Sequence, residues 1–130
     1  MAIQIAGKYY AFPNERVREI MPVQELFPTL LQLHDGLTGF LHTQSARVPI
    51  FDLHARLGGS HREIRVTTKT RIITAEVHGW TTGFYADRLT DLIQVRAHEI
   101  RKDTITGHGR PKTILTLDGL WTGQELAALA

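Results

Sequence analysis

The segment that most restricts the fold runs over residues 37–58, LTGFLHTQSARVPIFDLHARLG. Two apolar stretches, 39–41 and 48–53, flank a polar turn at 43–47. The second stretch reads as a strand carrying Pro49 and ends at Asp52. An aspartate there is suited to cap a short helix by accepting from the backbone N–H of His54 or Ala55, and Gly58-Gly59 supplies the stop. Strand, polar turn, strand and capped helical turn form a structural signature with no reactive group in it.

The rest of the chain repeats that grammar. Residues 1–5 predict a short strand stopped by Ala6-Gly7, and residues 8–12 an aromatic one ended by Pro13. Val17, Glu19 and Met21 alternate with Arg18 and Ile20, a strand pattern closed by Met21-Pro22. Residues 23–36 are less regular, and Pro28 interrupts their leucine stripe; they predict a loop with a partial helical turn. Residues 62–69 carry Arg62, Arg65 and Lys69 with little to bury, and read as an exposed edge or loop. Residues 70–77 predict a strand with Arg71, Ile73, Ala75 and Val77 on one face. His78-Gly79 suits a two-residue hairpin, because both residue types accept positive φ more readily than most. Residues 80–86 return with Trp80, Thr82, Phe84 and Ala86 on one side. Residues 101–112 are polar and Gly-rich and predict a loop, and residues 113–117 a last strand. Thr122-Gly-Gln-Glu125 has the form of a capping box, and Leu126 and Leu129 give the following helix an apolar side. About nine short strands and two or three short helices predict a mainly-β domain, and small closed barrels manage so many edges best. At 130 residues, one domain spanning 1–130 is expected.

Reactive chemistry is hard to find. The chain has no cysteine, which removes thiolate nucleophiles, disulfides and Cys-ligated zinc together. Seven histidines are present, but none pairs at i, i+4 and there is no His-Glu-x-x-His. Neither serine lies in Gly-x-Ser-x-Gly. The run Gly107-His108-Gly109-Arg110-Pro111-Lys112-Thr113 has the composition of a phosphate loop. It lacks the Walker spacing and leads into a strand instead of a helix N-terminus, so it reads as an ordinary loop. No enzyme activity, metal or cofactor is expected. No apolar run approaches the ~20 residues of a membrane span, and the first residues lack the basic-then-apolar pattern of a secretory signal. The reading is a cytoplasmic protein without direct membrane insertion.

Binding remains. Net charge is only +2, yet eleven of the fifteen basic residues are arginine. Arginine is favoured at protein interfaces, where its planar fork binds carboxylates and stacks on aromatics. Nucleic acid is the alternative partner. Arg62, Arg65, Lys69 and Arg71, near Trp80, Phe84 and Tyr85, would offer charge and stacking to it. The nearly balanced charge weighs against that, and the reading adopted is protein partners and no nucleic acid.

Four segments in order carry a family resemblance: YYAFPNERVREI (9–20), GFLHTQSARVPIFDLHARLG (39–58), GFYADRLTDLIQV (83–95) and ILTLDGL (114–120). Together they resemble the CheW-like domain, and the resemblance spans nearly the whole chain. It implies two SH3-like five-stranded β-barrels, intertwined and packed on a shared hydrophobic core, with a few short helices. It implies a non-catalytic adaptor that couples chemoreceptors to a CheA-type histidine kinase. One barrel end would bind the kinase's regulatory domain and build rings by self-association. A groove between the barrels would take the cytoplasmic tip of a methyl-accepting chemoreceptor, so the protein would sit at membrane-bound receptor arrays.

The resemblance also implies partner-binding positions. Val17, Glu19 and Ile20 stand in the family's Val-x-Glu-Ile strand, near its partner surfaces. Asp87 and Arg88 match its Asp-Arg. Pro49, Asp52 and Leu53 match a segment read as structural. Where the family usually has Asn-Leu-Arg-Gly, this chain has His42-Thr43-Gln44-Ser45. Gln44 and Ser45 thus replace a partner-contacting arginine and a turn glycine, and Arg47 is the candidate to supply the missing charge.

Overall fold

The computed structural model describes residues 1–23, 36–44, 46–60 and 62–130. The loop expected over 23–36 lies almost wholly outside the described residues, as does Ser45. The elements in order are β1 (Ala2–Ile5), β2 (Lys8–Ala11), β3 (Val17–Pro22), β4 (Leu37–His42), β5 (Arg47–Phe51), α1 (Leu53–Arg56), β6 (Arg71–Val77), β7 (Trp80–Ala86), β8 (Arg88–Asp91), β9 (Ile100–Arg101), β10 (Thr104–Ile105), β11 (Lys112–Ile114) and α2 (Gly123–Leu129). The architecture is mainly β, as expected. Two sheets form, with orders β8-β1-β2-β11-β10-β9 and β3-β6-β7-β5-β4. Among the described residues each order is an open ladder, one of six strands and one of five.

The chain crosses between sheets in short steps. A 3-10 turn at Asn14–Arg16 leads from β2 into β3, and Asp87 alone separates β7 from β8. Most pairing is antiparallel; β5 runs parallel to β7, and β2 to β11. The His78-Gly79 turn forms as expected, with φ of 51° and 83°, and sets the β6–β7 register from Val77↔Trp80 to Arg71↔Ala86.

One core lies between the sheets. It joins Ile3, Ile5 and Phe12 to Phe51, Leu53, Ile73, Phe84, Leu117, Trp121, Leu126 and Leu129. A second cluster of Leu41, Val48, Ile50, Ile72 and Tyr85 forms separately. The inner strands β5, β6 and β7 of the five-stranded sheet are therefore largely buried on both faces. That is why 48–51 reads as a continuous apolar run and not as strict alternation. Gly83 answers the same crowding, since a Cβ there would meet Ile50 Cδ1 at 2.4 Å.

Several local expectations need correction. Residues 101–112 are not all loop: β9 and β10 form a hairpin turned at Lys102, whose φ is 54°. Two-residue strands are too short for alternation to show in a sequence. The last strand is β11, ending at Ile114, because the chain turns again at Leu117–Gly119 to bury Leu117. Trp80 does not share the burial of Thr82, Phe84 and Ala86; it is 40% exposed at the open end of β7. The Thr122 cap forms, with Oγ1 accepting from Glu125 N at 3.0 Å. The Glu125 carboxylate, however, is held by Arg56 across 69 residues of chain.

Candidate functional site

Among the described residues β3 is an edge strand, paired only with β6. Its backbone is anchored where Glu19 N donates to Thr74 Oγ1 at 3.1 Å. Val17 is half-buried; Glu19 and Ile20 face solvent, with Ile20 40% exposed. The strand's start is fixed by Arg16. Its guanidinium grips Asp118 bidentately at 2.7 and 3.2 Å and also donates to the Glu76 carbonyl at 2.7 Å. That hydrogen-bonded pair holds the Asp118 carboxyl below the usual carboxylate range. Arg18 pairs with Glu76 beside it. A cleft of about 480 Å³ opens here between Glu15, Arg18, His78 and Asp118.

The turn between β4 and β5 is closed by Thr43, whose N–H donates to Ala46 O at 2.8 Å and whose Oγ1 accepts from Ala46 N at 3.0 Å. Gln44 is exposed at its tip. Arg47 lies over the Phe40 ring at 4.3 Å and donates to Leu129 O at 3.0 Å. It thereby ties the turn to the end of α2, so its charge is already engaged within the fold.

Asp87 sits where the chain passes from one sheet to the other. Its Oδ2 accepts from Ala6 N at 2.8 Å, and its own N–H donates to Gln4 O at 2.8 Å. Arg62 bridges it, at 3.6 Å, to Asp52, at 3.2 Å. Asp52 is buried and accepts from His54 N at 3.1 Å, so it is the helix cap expected from the sequence and an ion-pair partner besides. Both features give Asp52 and Asp87 a structural task. Arg88, next in sequence, points elsewhere and meets no acid among the described residues.

The expected docking residues thus fall in three places. Val17, Glu19 and Ile20 share one edge of the five-stranded sheet; Gln44 and Arg47 lie at its opposite edge; Asp87 and Arg88 lie at the sheet junction. The basic stretch does not assemble a stacking platform. Arg62 is engaged by two aspartates, Arg71 donates to Thr68 O and Thr70 O, and Phe84 and Tyr85 are buried. One feature was missed in the sequence. Phe12, Ile93, Val95, Ile100, Ile105 and Ile114 line a largely apolar cleft of about 500 Å³ beside the β2–β3 crossing. The run Leu92-Ile93-x-Val95, which joins no strand past Asp91 and leaves Leu92 73% exposed, was its available signal.

The family model of the CheW-like domain matches residues 1–122. The chain belongs to the CheW-like domain family. No curated protein matches the sequence. Among solved structures, the fold is similar to that of the scaffolding protein TtCheW from Thermoanaerobacter tengcongensis. The TM-score is 0.75 at 19% identity, with 92% of this chain and 88% of that one covered. A CheW-like domain therefore accounts for both sheets and the crossings between them, and α2, which starts at Gly123, lies beyond the matched residues.

Proposed function

We propose that this CheW-like domain is a non-catalytic cytoplasmic adaptor that couples chemoreceptors to a CheA-type histidine kinase. The observation that carries this is the family match over residues 1–122; the scaffolding role named for the T. tengcongensis relative supports it. Residues 1–130 form one domain in which each sheet, with its loops, serves as one SH3-like barrel. The exposed edge strand β3, through Val17, Glu19 and Ile20, and the turn carrying Gln44 and Ser45, with Arg47 behind it, meet the kinase's regulatory domain and neighbouring copies in rings. Asp87 and Arg88 border these surfaces. The apolar cleft beside the β2–β3 crossing takes the helical tip of a chemoreceptor, since apolar grooves of this kind seat one face of an amphipathic helix.

The test is a pull-down of the full chain against the cognate kinase regulatory domain and a receptor tip. Binding to either supports the adaptor role, and no binding to both at high micromolar concentration overturns it. Glu19→Ala and Gln44→Ala are expected to weaken partner binding by about tenfold, which places them in the minority of interface positions that cost more than about 1 kcal/mol on truncation. Neither should lower the melting temperature, because both side chains are exposed. Wild-type affinity in both variants would move the interface elsewhere.

A further inference from the structure

The cleft between β8, β2 and the 107–112 loop gathers basic groups, of which Arg88, Arg110 and Lys112 meet no carboxylate among the described residues. It measures about 350 Å³ and is lined by Tyr9, Arg88, Thr90, His108, Arg110 and Lys112, among others. No described lining side chain is acidic. Lys112 is only 3% exposed. Its ammonium is held by two backbone carbonyls, His108 O and Arg110 O, the latter at 3.0 Å, and by no carboxylate. Burying a cation without a counter-charge is expensive. Arg88 Nε and Thr90 Oγ1 are buried in the same region with no protein partner. Arg110 lies over the Tyr9 ring at 5.3 Å, leaving its N–H groups free to bond outward. His108 faces Glu99 at 2.8 Å and completes the rim.

Sheet register explains why these groups converge. Gln4 pairs with Arg88 on one side and with Tyr9 on the other. Thr113, next to Lys112, pairs with Tyr10. Arg88 and Lys112 therefore stand at the ends of one row across four strands, about 14 Å apart at the backbone. Arg88 and Thr90, two apart on a strand, share a face. Gly107 and Gly109, with φ of 87° and 72°, let the loop fold back over the row.

We infer that this cleft is a binding site for a small anion of the diphosphate class. Guanidinium groups bind phosphate oxygens in bidentate fashion, and an ammonium binds them as a point charge. Cations at both ends of a row of this length match two linked phosphates better than one. The Gly-His-Gly-Arg-Pro-Lys run then binds phosphate without the Walker geometry, through side chains gathered by a sheet and not through a helix N-terminus. Apart from Arg88, which borders them, the residues of this site lie outside the adaptor surfaces at β3 and at the β4–β5 turn.

The test titrates the isotope-labelled full chain with inorganic pyrophosphate at constant ionic strength and follows backbone amide shifts. Saturable shifts confined to 88–90 and 107–112 are expected, with a Kd of about 1 mM or tighter. Orthophosphate should bind at least about fivefold more weakly, having one charged group for a site built with several. The double variant Arg88→Gln, Arg110→Gln should lose binding by about tenfold or more, while Arg65→Gln, an exposed arginine outside the cleft, should leave it unchanged. Melting curves of each variant establish that it is folded. Shifts that grow linearly, equal binding of citrate, or equal loss in Arg65→Gln would each overturn the proposal. So would loss of kinase or receptor binding in the double variant when wild type takes no pyrophosphate, because the cluster would then belong to a protein interface.

Discussion

Arg62 and Arg88 both neighbour Asp87, one across space and one along the chain. Arg62 reaches back over the sheet junction and joins Asp87 to the buried Asp52. Arg88 leaves the strand on the other side and has no acid among the described residues. Arg56 belongs with Arg62: it stacks on Phe51 at 4.8 Å and grips Glu125, locking α1 to α2. Arg110 and Lys112 belong with Arg88. One set of cations is paired with carboxylates inside the fold, and the other meets none among the described residues. Adjacency in sequence is no guide to which set an arginine joins: Arg62 reaches Asp87 from a distant loop, and Arg88, its neighbour in the chain, does not pair with it.

The largest effect separating the two sets is expected at Asp52. Asp52→Ala removes a helix cap and strands the Arg62 charge, and should cost about 3 kcal/mol in chemical denaturation. A loss below about 1 kcal/mol would mean that the network is no stronger than a surface pair. Glu125→Ala comes next, at about 2 kcal/mol, since it removes a carboxylate bonded to a largely buried guanidinium. Arg88→Gln should change stability by no more than about 0.5 kcal/mol in the same assay, as expected for a side chain with no acid partner among the described residues. A penalty near that of Asp52→Ala would collapse the comparison. The smallest effect is at acid pH. Arg16 holds the folded Asp118 carboxyl below the usual range. Its contribution is present above the unfolded carboxylate's range and is lost as pH falls through the depressed folded value. Arg16→Gln should flatten the acid limb of a stability-versus-pH curve measured in urea. An unchanged limb would assign that slope to other carboxylates, Glu99 first, which the Arg96 backbone N–H and then His108 also hold low.

Where local patterns are strong, structure and sequence agree. The His78-Gly79 hairpin, the Asp52 cap, the strands around Pro49 and the Thr122 cap all rest on contacts within a few residues, which composition encodes directly. The β9–β10 hairpin escaped notice because two-residue strands carry no period and only Ile105 is buried in it. Of the expected docking positions, the exposure of Glu19 and Gln44 follows from their places on an edge and in a turn. The engagement of Arg47 with Leu129 depends on 82 residues of intervening chain, and no window of sequence contains both partners.

By itself the sequence determined the class: short strands, punctuating turns, no nucleophile or ligand spacing, and four ordered segments that identify the family. Turn chemistry and burial patterns are local, so they survive without coordinates. Only the tertiary structure decided which charges are neutralised. Pairing across two sheets depends on register and on crossings, and these bring Arg62 to Asp52 and Asp87 while leaving Arg88, Arg110 and Lys112 together with no carboxylate partner among the described residues.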